Sequence, residues 1–468
     1  MTTDTAGSGQ TTELRRVMGP KLLLLFIIGD ILGTGVYALT GQVAAEVGGA
    51  AWLPFLVAFV VALLTAFSYL ELVTKYPQAA GAALYVHKAF AVHFFTFIVA
   101  FAVMSSGITS ASTASRAFAS NLALGFGWEV SNTAIMLIAL AFMTLVMAIN
   151  LRGVGESVKT NVVLTLIELT GLLIVILIGI YAIGGAGDAD FSRVVAFDTP
   201  DDKNVFLAVT TATSLAFFAM VGFEDSVNMA EECTDPPGIF PRMMLTGLGV
   251  TGLIYVLVSI CAVALVPVGE LAASDTPLTL VVERGAPDIP VKDIFPFISM
   301  VAVANSALIN MMMASRLLYG MGKQGVIPRS LSKVHPRTRT PWVSILFTTA
   351  LSYGLIAYVS NASEDAVAVL GGTTALLLLG VFAVVNVAVL VLRNDPVDHD
   401  HFRTNTVVAV LGAAACLYLV TPLSGRDGEQ YQVAGLLLLV GLILSLPVYL
   451  YRRAQGEDVT IDDPDKLG

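Results

Sequence analysis

The sequence predicts an all-α polytopic membrane protein of about twelve transmembrane helices, and three observations carry that prediction. Only 13% of the 468 residues are charged and 56% are hydrophobic, whereas soluble domains carry roughly 25% charged residues. Mean hydropathy is +0.81. The apolar residues fall in long runs, about twelve of which reach the ~20 residues needed to cross a ~30 Å hydrocarbon core. Lysine and arginine are shared unevenly between the connecting segments. Of 25 such residues, 18 lie on one side of the alternating spans and five (Arg193, Lys203, Arg284, Lys292 and Arg426) on the other, with Arg116 and Arg316 near helix ends uncounted. The positive-inside rule then makes both termini cytoplasmic and supports an even number of spans. A water-soluble enzyme is excluded, and the short connections leave no room for a second soluble domain.

Taken in order, the runs lie near 21–44, 51–75, 86–112, 133–151, 159–183, 204–230, 243–266, 293–321, 342–360, 364–392, 405–421 and 432–451. The two longest outer segments, near 184–203 and 267–292, are rich in Asp, Glu and Pro and are expected over the mouth of the bundle. The first fourteen residues lack the apolar core of a signal peptide. Residues 1–13 and 454–468 have the composition of disordered tails. The three cysteines, Cys233, Cys261 and Cys416, are odd in number and sit in or beside apolar runs, so no disulfide framework is implied. The net charge of −10 is spread over outer loops, the acidic tail and a few intramembrane positions. The bilayer is the expected macromolecular partner, with no nucleic acid.

The first span contains Gly29-Asp30-Ile31-Leu32-Gly33-Thr34-Gly35, a poor sequence for a continuous helix because each glycine costs ~1 kcal/mol relative to alanine. Irregular backbone is tolerated at membrane depth only where it is buried in protein or lines a cavity. Two readings stand open. The midpoint unwinds and turns its freed N–H groups toward an anionic ligand, or Gly29-x-x-x-Gly33 packs closely on another helix. The sixth span offers a counterpart in Phe217-Phe218-Ala219-Met220-Val221-Gly222-Phe223-Glu224-Asp225. Breaks in spans one and six are what two inverted five-helix repeats produce.

Four segments together resemble the amino acid–polyamine–organocation (APC) superfamily of permeases. IGDILGTGVYALTG (28–41) is similar to its first-helix pattern, and YPQAAGAALY (76–85) to its Pro-x-Ala-Gly-Gly-x-Tyr stretch. SLAFFAMVGFEDSVNMAEE (214–232) resembles its sixth helix, and SRLLYGMGKQGVIP (315–328) with TPW at 340–342 its eighth helix and following loop. The resemblance implies a LeuT-like fold with discontinuous helices 1 and 6. Residues 21–183 and 204–393 would form the two repeats and 405–451 two accessory helices, between cytoplasmic tails at 1–20 and 452–468. It also implies a site enclosed by spans 1, 3, 6, 8 and 10. There the N–H groups of Gly33, Thr34 and Gly35 would hold a substrate carboxylate. The carbonyls of Ile31, Phe218, Ala219 and Val221 would hold its ammonium group, with Phe223 beside them.

Acidic residues deep in spans cost about 2.5–3.5 kcal/mol each on insertion scales, so they need partners or a cavity. Asp30 and Glu224 flank the expected breaks, where they serve as functional groups or as caps of half-helices. Glu71 lies one turn from Lys75, and a local i, i+4 pair is expected. Glu168 departs from the superfamily pattern, since many proton-coupled relatives carry a lysine at about this place. It is a candidate for a cation, a proton, a substrate amine or a hydrogen bond to a neighbouring helix. Tyr37 follows Asp30 by two helical turns, a spacing shared with potassium-importing branches, although those usually carry a large cytoplasmic domain.

His399 and His401 read as a solvated loop, and Met311-Met312-Met313 as pocket lining or packing. No cofactor or metal motif is present. The expected function is a plasma-membrane secondary carrier for an amino acid or related small amine, working by alternating access and coupled to protons. The alternatives are a potassium transporter and a sensor or scaffold on the same fold.

Overall fold

The apolar runs become helices because a bilayer offers the backbone no water, so every N–H and C=O must be satisfied within the segment. The computed structural model describes residues 18–78, 81–153, 158–182, 189–200, 203–363 and 365–455. Among them, eleven helical segments are long and apolar enough to cross a membrane. Most of the N-terminal tail, most of the C-terminal tail and parts of the 184–203 segment lie outside the described residues.

Span one is divided into α1 (Pro20–Ile31) and α2 (Thr34–Val47), and α3 (Trp52–Lys75) is span two. A short α4 (Gly81–Phe90) precedes α5 (His93–Gly125), which is span three, and α6 (Asn132–Arg152) and α7 (Val158–Tyr181) follow. Span six starts as α8 (Val205–Ala216), tightens into a 3-10 turn (Phe217–Met220), breaks, and resumes as 3-10 helix over Asp225–Glu232. Then come α9 (Pro236–Leu265), the short α10 (Val268–Ala272) and α11 (Pro277–Gly285), and α12 (Val291–Lys323). The chain ends with α13 (Trp342–Ala362), α14 (Ala366–Leu392), α15 (Thr406–Val420) and α16 (Gly428–Ala454). At 15 residues, α15 spans about 22 Å at 1.5 Å per residue, short of the full core.

Three boundaries lie seven or more residues from the sequence reading, one of them the start of span seven at Pro236 rather than near 243. Span three begins at His93 rather than near 86 and runs on to Gly125. A single apolar run hides the elbow at Ala91, whose φ of 51° separates α4 from α5. The run reads as ending near 112 because Ser and Thr crowd 105–115, yet those side chains are buried against other helices. Ser112 Oγ, for example, lies 2.8 Å from Ser352 Oγ of α13. The 267–292 segment contains α10 and α11, which pack on α2.

The long helices α5 and α12 lie against each other and against the broken spans. A second set of contacts joins α3, α14 and α15 through buried polar groups. Ser68 Oγ donates to Asn386 Oδ1 at 2.6 Å, and Asn386 Nδ2 donates to Thr65 Oγ1 at 3.0 Å.

The i, i+4 pair expected for Glu71 is not formed. Glu71 takes Nε and Nη2 of Arg393 at 3.0 Å each and the Thr404 N–H at 2.9 Å. Lys75 instead donates to the Leu392 carbonyl at 2.5 Å. A planar guanidinium matches both carboxylate oxygens, which a single ammonium on the same helix cannot do. Beside this cluster Tyr76 donates to Asp395 at 2.5 Å. Burial, and then that hydrogen bond, push the Tyr76 phenol well above its usual range, so it stays a donor. His399 sits in the adjoining loop, its Nε2 3.1 Å from the Thr74 carbonyl.

Candidate functional site

The break in span one is a two-residue interruption. The Leu32 N–H still reaches the Ile28 carbonyl at 2.9 Å, and Gly33 then leaves the helical region at φ −54°, ψ −149°. Each helix end so created exposes backbone groups without intrahelical partners. In span six, Val221 is extended at ψ 147° and Gly222 takes φ +124°, a conformation that suits glycine. The Glu224 carboxylate accepts the Gly222 N–H at 2.8 Å, which caps the break from within.

The two breaks meet backbone to backbone. A Cβ on Gly222 would stand 2.6 Å from the Asp30 carbonyl oxygen, and one on Gly35 would collide with the Cα of Ala219. A Cβ on Gly29 would collide with Thr165 of α7. Close packing is thus found at Gly29 and the helix interruption at Gly33.

Between the breaks lies a cavity of about 30 Å³. Span one contributes Asp30, Ile31, Gly33, Thr34 and Gly35, and span six contributes Phe218, Val221, Gly222 and Asp225. Ser110 of α5 with Ser306 and Asn310 of α12 complete it. A second cavity, of about 20 Å³, adjoins it and shares Val221, Asp225 and Asn310 as a common wall. Its further walls include Ser106 and Gly107 of α5, Glu224, Met313 of α12, and Thr374 and Leu378 of α14. The lining spans are the first, third, sixth, eighth and tenth. Each cavity has room for roughly a water or two. No lysine, arginine or histidine lines either among the described residues. The Thr34 hydroxyl is buried and has no hydrogen-bond partner among the described residues, a condition that a ligand would relieve.

The other candidates from the sequence lie around this centre. The Ile31 carbonyl accepts the hydroxyl of Tyr255 on α9; its second lone pair is still available. Ala219 packs on Gly35. Phe223 is buried on the far side of span six, edge-on to Tyr69 at 5.8 Å. Tyr37 does not pair with Asp30. The break places the two on different helices, and the Tyr37 hydroxyl donates to the Glu168 backbone carbonyl at 2.9 Å. The fully buried Glu168 carboxylate accepts from Asn305 Nδ2 at 3.2 Å and lines neither cavity.

The residue that sequence reasoning passed over is Asp225, which lines both cavities. Its signal was the acidic doublet Glu224-Asp225, of which only the first member was taken. Ser106, Ser110, Ser306 and Asn310 were signalled only as polar residues inside apolar runs, where they face the bundle interior.

Comparison with known proteins identifies the family. The family described as amino acid permease matches residues 20–443. A branched-chain amino acid permease of Bacillus subtilis (strain 168) is 28% identical, covering 97% of this chain and 96% of its own length. A methylthioribose transporter of the same organism is 26% identical over 90% of this chain and 91% of its own. The chloroplastic cationic amino acid transporter 9 of Arabidopsis thaliana is 30% identical over 69% of this chain and 58% of its own. With broken spans around a polar centre and a family match over nearly its whole length, the chain belongs to the amino acid permeases of the APC superfamily, membrane transporters rather than enzymes.

Proposed function

We propose that this permease is a secondary active carrier of an amino acid or related small amine, coupled to protons. It would work by alternating access in the plasma membrane with both termini cytoplasmic. The observation that carries the reading is the pair of opposed breaks around a cavity that combines free backbone groups with carboxylates. A zwitterion needs donors at one end and acceptors at the other. The start of α2 offers N–H groups at the positive end of a helix dipole, and the end of α1 and the extended Val221 offer carbonyls. The two small cavities describe a closed conformation, and a substrate occupies the site once the wall of Val221, Asp225 and Asn310 moves. Rocking of spans one and six against the rest of the two five-span repeats supplies that motion.

Proton coupling is supported by the absence, among the described residues, of any basic side chain from the cavity linings. A carboxylate without a cationic partner in a water-poor site can exchange a proton near neutral pH. Asp30, Glu224 and Asp225 are the carboxylates that line the cavities and are placed to do so, whereas Glu168 lines neither. The test is uptake into liposomes from a panel of labelled amino acids, polyamines and rubidium, with and without an inward proton gradient. Uptake of at least one amino acid should be driven by the gradient and lost on its collapse. The response to the gradient should be lost in Glu224→Gln and kept in Glu168→Gln. Rubidium uptake without amino acid uptake would make the protein a cation transporter instead.

A further inference from the structure

A large groove lies away from the centre, where α5 meets α16 at the end of the bundle that carries most of the lysines and arginines. Its volume is about 730 Å³, and its walls include Val92, Phe94, Phe97, Leu442, Leu446 and Tyr449. Val92, Phe94, Leu446 and Tyr449 are 51%, 56%, 54% and 44% exposed, so the groove opens outward from the bundle. An apolar groove that opens outward from a membrane-spanning bundle is suited to acyl chains. Its rim is unlike the walls. Val326 also lines the groove, and at its neighbour Gly325 the guanidiniums of Arg329 and Arg452 converge, both within 4 Å of the point where a Cβ would stand. Neither forms an ion pair among the described residues.

Two guanidiniums brought together repel, and nothing in the groove lining offsets that repulsion, since it holds no Asp or Glu. A second groove, about 390 Å³ between α5, α14 and α16, is equally apolar and has no charged residue in its lining. The pair of grooves separates two requirements. Either can take an acyl chain; beside the first, two guanidiniums stand without an ion pair among the described residues, whereas the guanidinium beside the second, Arg426, is buried and donates to Leu419, Gly372 and Gln430.

We propose that the groove between α5 and α16 is a site for an anionic phospholipid, with an acyl chain along Phe94, Phe97 and Leu446 and the phosphate held by Arg329 and Arg452. Guanidiniums hold phosphate oxygens in paired hydrogen bonds, and basic pockets between transmembrane helices are the usual form of headgroup recognition. This site is independent of the substrate reading, because neither arginine lines the central cavities.

The full-length protein, purified and reconstituted with phosphatidylglycerol and phosphatidylcholine in equal amounts, would be examined by native mass spectrometry for retained lipid. Phosphatidylglycerol should be retained in about tenfold preference. The double variant Arg329→Gln/Arg452→Gln should lose that preference while keeping its unfolding midpoint. Leu446→Trp, which fills the groove and leaves the arginines, should lower retention of both lipids. Equal retention of the two lipids by the unaltered protein, or an undiminished preference in the double variant, would overturn the site. So would a preference that emerges only when the acidic residues 456–468 are removed, since that segment would then be the occupant.

Discussion

Glu71 and Glu224 are both glutamates buried in apolar spans, 2% and 7% exposed, yet their surroundings differ in kind. Glu71 has a full set of donors: both faces of the Arg393 fork and the Thr404 N–H, with Arg393 held in turn by the Thr404 carbonyl at 2.7 Å. It joins α3 to α14 and to the start of α15, and its charge is matched where it stands. Glu224 has one backbone donor and a neighbouring carboxylate, Asp225, and both border a cavity that no basic side chain lines among the described residues. A buried charge in a permanent bidentate pair is a joint. A buried acid beside a cavity and another acid can change its protonation or bind a cation as the cavity changes shape.

This contrast can be broken by experiment, and the largest effect belongs to the joint. Glu71→Ala leaves the Arg393 guanidinium, 13% exposed, without its carboxylate. The expected cost is about 3–5 kcal/mol of stability, read as a lower unfolding midpoint and a poor yield of monodisperse protein. The double replacement Glu71→Leu/Arg393→Met should recover most of that loss, because two apolar groups need no pairing. A stable Glu71→Ala protein would remove the distinction between the two regions.

Next in size is Asp225→Asn. It should lower uptake at least about a hundredfold, ~2.7 kcal/mol on the transport barrier, with the unfolding midpoint nearly unchanged. Loss of folding in its place would make Asp225 a second joint. Glu224→Gln should be milder, because the amide oxygen can still accept the Gly222 N–H. Uptake should fall about tenfold and lose its response to an imposed proton gradient, which a flux assay at matched and unmatched pH would show.

A smaller effect is expected at Thr34. Thr34→Val removes the unpartnered hydroxyl and should weaken apparent substrate affinity by about fivefold, in line with the ~1 kcal/mol of a typical hydrogen bond. Thr34→Ser should stay within about twofold. Equal behaviour of the two variants in a concentration series would mean that the hydroxyl does not face the substrate. The smallest transport effect belongs to Tyr37→Phe, which loses one hydrogen bond to α7 and about 1 kcal/mol of stability. Its uptake should be unchanged, and a large loss would return Tyr37 to the transport machinery.

Gly35 sharpens the same comparison from the backbone side. Its missing Cβ faces the Cα of Ala219, so a valine there pushes the two breaks apart as well as narrowing the cavity. Lost uptake in Gly35→Val therefore reports on packing and on access together, and the Thr34 series separates them.

Much of the protein is legible in the chain alone. Span number and approximate position follow from run length, because the hydrocarbon core has one thickness and helices one rise per residue. The interruptions in spans one and six are legible because glycine and carboxylate inside an apolar run contradict a continuous lipid-exposed helix. Partners were not legible. Lys75 lies four residues from Glu71, but Arg393, 322 positions away, holds it. Seven residues put Asp30 and Tyr37 on one face of an unbroken helix, and the break at Leu32–Gly33 ends that register. The start of span three was hidden because an elbow at Ala91 needs no unusual residue, only a turned backbone. Asp225 became distinct from Glu224 only when the break aimed one at both cavities and folded the other back onto the Gly222 N–H. Periodicity and hydropathy are local quantities and survive in the sequence. The pairing of charges and the walls of a cavity depend on which helices touch, which is set by packing across the whole bundle.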